Sequence, residues 1–256
     1  MNSAFLIAYL TITRREVVRF SRVWFRTLLP PMVNTGLYFL IFGNLIGTKI
    51  GPMSGCSYVE FMMPGLVMMS VIICSYTNVA SSMYSARFQK YIEEILVSPV
   101  PMWLIVAGFV TGGVIRGMIV GVLVLLVALN FTPVSFLHIH HLILMLLLAS
   151  LLFSLGGFIN AIYARNFDDI SVIPTLLLTP LIYLGGVFYT LDLLPPFWEG
   201  VSRINPLLYV INTFRYGFLG ISDTSIVLSY VVVGALLLVF FVWATLLLQK
   251  GRGLVS

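Results

Sequence analysis

From Leu178 the chain runs Leu178-Thr-Pro-Leu-Ile-Tyr-Leu184-Gly-Gly-Val-Phe-Tyr189, then Leu194-Pro-Pro-Phe-Trp198, then Asn205-Pro-Leu-Leu-Tyr209, and closes on Arg215. The first part is apolar enough to complete a membrane span. The second carries Pro195, Pro196 and Pro206 with charges on a short aromatic-rich piece, too broken for another full span. The stretch predicts a helix that reaches one membrane surface, followed by a short broken segment lying at that surface.

Composition points the same way. Sixty per cent of the 256 residues are apolar and nine per cent are charged, and the mean hydropathy is +1.06. Soluble domains carry roughly a quarter charged residues, so the expected fold class is an all-α membrane protein. At about 20 residues per span the chain has room for about six to eight helices and for no soluble catalytic domain. The net charge of +5 would point to nucleic acid in a soluble chain. Here the positions of the cations are an orientation signal, and no nucleic-acid partner is expected. Cys56 and Cys74 stand eighteen residues apart, with Cys74 inside an apolar helix, so no disulfide between them is expected. Arginines crowd positions 14 to 26, where a cleavable leader would have a short apolar core, so the first span is expected to be retained.

Taken in order, residues 3–27 predict an amphipathic helix. Arg15, Arg19, Arg22 and Arg26 share one face, with Val17, Phe20, Trp24 and Leu28 on the other. Such a helix lies on an anionic bilayer surface, orients the first span, or does both. Spans are expected over 28–46, 58–82, 103–130, 142–164, 170–189 and 226–248, with the broken outer segment over 191–220. Six spans put both ends of the chain on one side. Ten Lys and Arg fall on that side and three, Lys49, Arg203 and Arg215, on the other, which places the ends in the cytoplasm. Gly113, Gly117 and Gly121 repeat every four residues and make a groove for close helix packing, within the subunit or between subunits. Gly43, Gly47 and Gly51 repeat the pattern, two of them expected in loop.

Candidate chemistry is sparse. Only three lysines occur and none sits in a Gly-x-x-x-x-Gly-Lys-Ser/Thr loop, so any ATP would have to bind a separate subunit. Over residues 87–98, Phe88, Tyr91, Ile92 and Ile95 hold positions i, i+3, i+4 and i+7, while Arg87, Lys90, Glu93 and Glu94 project elsewhere. Pro99 and Pro101 stop this short helix, and its apolar face needs a partner, protein or bilayer. His138, His140 and His141 have no neighbouring cysteine, and no metal site is expected. Asp168 and Asp169 precede a helix, where carboxylates cap free amides. Glu60 opens the second span and is expected at the interface. Arg116 lies mid-span, at a cost of roughly 2.5–3.5 kcal/mol on insertion scales. It faces the bundle interior or a wet cavity, holding either an anionic substrate headgroup or span-end carbonyls.

The opening stretch resembles the signature of the membrane subunits of type-2 ABC exporters, the drug and polysaccharide export permeases. The matching residues are Leu178, Leu181, Leu184, Gly185, Val187, Leu194, Pro195, Pro206, Leu207, Tyr209 and Arg215, at the expected spacings. Pro64-Gly65-Leu66, Asn78-Val-Ala-Ser-Ser82 and Phe167-Asp-Asp-Ile-Ser171 extend the resemblance along most of the chain. It implies a six-helix permease of the bacterial cytoplasmic (inner) membrane, dimerised with a second copy of itself and joined to two P-loop ATPase subunits. ATP and magnesium would sit on those ATPases, and this chain would carry no cofactor and no catalytic residue. The resemblance also implies an interfacial helix over Arg14 to Arg26, a coupling helix over Arg87 to Leu96, and a re-entrant hairpin over Leu191 to Gly220 that caps the outer end of the pathway. Two other classes stay open on the residues alone: a non-transporting scaffold or sensor, and an integral-membrane enzyme built on the histidines or aspartates.

Overall fold

The computed structural model describes residues 3–47, 51–53, 55–133 and 136–251. Lys49 and Arg252, both used in the charge count above, lie outside the described residues. Regular structure among the described residues is helical, apart from one isolated bridge between Met53 and Cys56. Among the described residues five helices are long and apolar enough to cross a membrane: α3 (Tyr58–Phe88), α5 (Met102–Ala128), α6 (Ile139–Tyr163), α7 (Phe167–Leu184) and α10 (Ile226–Gln249). They are joined by α1 (Ser3–Ser21), α2 (Trp24–Tyr38), α4 (Tyr91–Val97), α8 (Pro196–Ile204) and α9 (Pro206–Leu219). After 15 residues α2 runs on as π-helical turns over Phe39–Ile46.

Local chemistry explains the boundaries. Ser57 accepts from the Glu60 amide while Glu60 accepts from the Ser57 amide, a reciprocal cap that starts α3. Glu60, expected at the interface, is thus a capping residue. Lys90 takes a left-handed conformation (φ 61°) that ends α3 and redirects the chain into α4. The helix expected over 87–98 is therefore shorter, and Arg87 and Phe88 belong to the last turn of α3. Asn166 and Asp169 cap α7 in the same reciprocal way. Pro174 bulges α7 into π geometry, and both the Thr179 amide and its hydroxyl donate to the Pro174 carbonyl five residues back. The span expected over 170–189 stops at Leu184, because Gly185 and Gly186 (φ +78°) break the helix.

Between apolar helices in a bilayer, close backbone approach replaces the hydrophobic drive. Glycines line two faces of α5. A Cβ on Gly113 would fall 2.3 Å from Ser154 Oγ of α6, and one on Gly117 would fall 2.0 Å from Ser75 Oγ of α3. Gly121 meets Val71 and Leu146 of the same two helices, so this groove is filled within the chain. On the other face Gly108 and Gly112 receive Ile12 and Glu16 of α1.

That docking changes the reading of the N-terminal helix. The single helix expected over 3–27 is parted at Arg22 and Val23. Its buried stripe is Ile12, Glu16 and Phe20, and Tyr9 hydrogen-bonds Thr111 of α5 at 2.8 Å. The small residues on α5 leave room for α1 to lie against the bundle rather than only against lipid. The outer segment differs too. α8 is exposed at Phe197 and Ile204, whereas α9 is buried from Leu207 to Phe218 except for Tyr209 and Tyr216, among α3, α6 and α10. It is inserted between helices, not laid on a surface, because its apolar residues run all round the helix.

Candidate functional site

Two neighbourhoods hold the charges that the apolar body had to accommodate. The first surrounds Arg116. On α2, Thr35 pairs with Ser70 of α3 at 3.1 Å, and Gly36 faces Val127 of α5. A cavity of about 640 Å3 opens between these three helices. Arg26, Thr27 and Arg116 line one end, Asn34 lies midway, and Ile41, Phe42 and Leu66 line the other. Arg116 Nη1 donates to Asn78 Oδ1 and Nη2 to the Thr27 carbonyl, both at 3.3 Å, while the buried Nε has no partner. Asn78 Oδ1 also accepts from Arg19 at 2.9 Å, and Arg19 pairs with Glu16 at 3.2 Å. Glu16 is 1% exposed. Two guanidinium groups thus meet at one asparagine, and the Glu16 carboxylate holds one of them.

Sequence reasoning found Arg116 and Arg19 but missed Glu16 and Asn78. The available signal was charge isolation, since Glu16 is the only acidic residue before Glu60 and stands three residues from Arg19. The four arginines of the expected basic face are not equivalent. Arg15 lies over the Tyr91 ring at 3.6 Å, Arg19 turns inward, Arg26 lines the cavity and Arg22 is exposed. Burial pushes the Tyr91 phenol up.

The second neighbourhood surrounds Arg215, 1% exposed on α9. Its Nε donates to the Phe61 carbonyl at 3.3 Å, Nη1 to Asn212 Oδ1 at 3.2 Å and Nη2 to the Gly186 carbonyl. Its guanidinium also lies over the Phe61 ring at 3.9 Å. The other signature residues set the turns and helix starts leading to α9. Gly185 leaves room for Ile211, where a Cβ would fall 2.9 Å from its Cδ1. Pro195 precedes α8 and Pro206 is the first residue of α9. The Tyr209 hydroxyl donates to the Arg203 carbonyl at 2.8 Å, and Asn205 bridges the Leu207 amide and the Leu181 carbonyl.

At the end of the bundle near α4, the residues expected to meet a partner are mostly used internally. Ile92 is fully buried, and Tyr91 and Ile95 pack on the core, because α4 folds back under α1 and α3. Arg87 donates to the carbonyls of Ala161, Ile162 and Ala164, capping the C-terminus of α6. What faces outward is Phe88, 67% exposed and 5.7 Å from the Phe167 ring, with Val97, 88% exposed, and Glu94. Glu93 is half-buried.

His138 stacks on Tyr216 at 4.8 Å and His141 Nδ1 bonds the Tyr230 hydroxyl at 2.7 Å. Among the described residues no three His, Cys, Asp or Glu side chains are placed to hold a metal ion together, and both cysteines are free. The histidines start α6 and Asp169 follows its end. Helical rise over those 25 residues sets them about 37 Å apart, too far to share a catalytic site.

Residues 7–219 match the model of the ABC-2 type transporter family. The chain belongs to that family. It is 51% identical to the inner membrane transport permease YadH of Escherichia coli (strain K12) over 256 residues, the whole of both chains. It is also 24% identical over 213 residues, 83% of this chain and 81% of the relative, to nodulation protein J of Rhizobium meliloti (strain 1021). This ABC-2 permease is therefore the membrane subunit of a transporter and the homologue of an inner-membrane protein, and its family implies a partner ATPase. The arginine-lined cavity and the Arg215 lock are features of such a subunit.

Proposed function

We propose that the permease is the membrane half of an ATP-driven exporter that moves an amphipathic molecule, such as a drug, a lipid or a lipid-linked glycan, outward across the cytoplasmic membrane. The observation that carries this reading is the cavity of about 640 Å3 between α2, α3 and α5, which joins a charged end to an apolar wall inside the membrane body. In the full assembly α2 and its π-helical extension complete six spans, both ends of the chain are cytoplasmic, and α8 with α9 forms a re-entrant hairpin at the outer end. Two copies associate and two ATPase subunits drive alternation between inward and outward exposure. A shift from 1:99 to 99:1 takes about 5.5 kcal/mol of differential binding, which closure of the nucleotide sites supplies.

The ATPase contact lies around Glu93, Glu94, Phe88, Val97 and Phe167. A mild-detergent pull-down of the tagged chain, with an ATPase assay on the eluate, tests it. Recovery of a P-loop ATPase that is lost from the Glu93→Lys, Glu94→Lys double variant, and weakened by Phe88→Ala with Phe167→Ala, is the expected result. A chain that elutes alone and without ATPase activity in several detergents sinks the reading.

A further inference from the structure

We propose that the cavity between α2, α3 and α5 carries cargo with an anionic headgroup, a phosphate or carboxylate, at its Arg26 and Arg116 end and an alkyl tail at its Phe42 end. This rests on the exporter reading and gives its cargo a charge and an orientation.

Polarity is segregated along the groove. Arg26, Thr27 and Arg116 sit at one end, and Ile41, Phe42 and Leu66 at the other. Sixteen residues of α2 and its extension separate Arg26 from Phe42, about 24 Å at helical rise, which is most of the roughly 30 Å hydrocarbon thickness. A tail fits along that distance. The hydroxyls on the way are already engaged, Thr35 with Ser70 and Tyr38 with Tyr183. Apart from the Asn34 amide midway, the wall offers more to a hydrocarbon than to a sugar.

The charged end is under-neutralised. Among the described residues no carboxylate lies within ion-pair distance of Arg26 or Arg116, and Glu16 is paired with Arg19. Arg116 lines the cavity and spends two of its donors on bonds of 3.3 Å, whereas a guanidinium presents five N–H donors in a fork that fits phosphate and carboxylate. An uncompensated cation in an apolar body is costly, and an anionic headgroup offsets that cost where a neutral or cationic one does not.

The test uses the full-length permease with its ATPase in nanodiscs of zwitterionic lipid. The probes are dodecyl phosphate and dodecyltrimethylammonium, which share a tail and differ in head charge. Dodecyl phosphate is expected to bind at least about ten-fold more tightly and to raise the ATPase rate, the ten-fold being the worth of one charge-assisted bond. Arg116→Gln is expected to weaken it about ten-fold, and Arg116→Lys less. Arg26→Gln, at an exposed position whose side chain makes no described hydrogen bond, is the variant safe for folding and is expected to weaken binding too. Equal affinity for the two probes, or binding unchanged in both glutamine variants, overturns the proposal. Tight binding that leaves the ATPase rate unmoved marks a resident lipid and overturns the assignment as cargo. Failure of the ATPase to associate at all is a separate outcome and breaks the exporter reading instead.

Discussion

Arg215 and Arg116 are two guanidinium groups inside one apolar helical body, and the chain treats them differently. Arg215 is closed in. All three nitrogens have acceptors, and an aromatic ring lies beneath it. Arg116 is left open, with two long bonds and a place on the lining of a cavity. A buried cation with an acceptor for each of its nitrogens ties together the segments that supply those acceptors, here α3, α9 and the Gly186 turn. A buried cation with donors to spare is costly until something binds it. The difference separates an architectural arginine from a ligand-binding one by geometry alone.

The strongest way to break this contrast is Arg215→Ala. It strands the Gly186 and Phe61 carbonyls and Asn212, at about 1–3 kcal/mol for each orphaned group. The expected outcome is loss of monodisperse permease on size-exclusion chromatography, or a melting temperature far below wild type. An unchanged melting profile would remove Arg215 from its structural role. Next in size, Arg116→Gln is expected to keep the melting temperature within a few degrees while reducing substrate-stimulated ATPase activity about ten-fold. A variant that melts early yet transports normally would reverse the comparison.

Gly117→Ala sharpens it by testing the frame that holds Arg116. Its new Cβ meets Ser75 Oγ at 2.0 Å, and overpacking of this kind costs about 1–3 kcal/mol. Thermal unfolding in detergent would report the loss, and no shift would show that α3 and α6 yield easily. The smallest effect is expected from Arg15→Ala, which removes the cation over Tyr91 and about 0.5–1 kcal/mol. Protection of the α4 amides from hydrogen exchange should fall slightly, and an identical exchange pattern would free α4 from α1.

Much of the architecture was readable because membrane spans are written in composition. Long apolar runs announce α3, α5, α6, α7 and α10, and the Pro-Pro and Asn-Pro breaks announce α8 and α9. The candidate site was only half readable. Arg116 announced itself as a charge in a span, but its acceptor Asn78 comes from another helix 38 residues away. The coupling stretch was misjudged for a related reason. Helical spacing identified the face of Phe88, Tyr91, Ile92 and Ile95, but the turn at Lys90 sends Ile92 into the core and leaves Phe88 beside Phe167.

Hydropathy, proline spacing and the positions of the cations were enough to establish an all-helical membrane protein and to single out its signature segment, because those properties act locally along each run of chain. Which arginine is satisfied and which is open, that α1 docks on the glycines of α5, and that α9 is inserted rather than laid flat depended on distant helices coming together. Periodicity records which face of a helix is apolar, and it takes the packed neighbour to decide what that face meets.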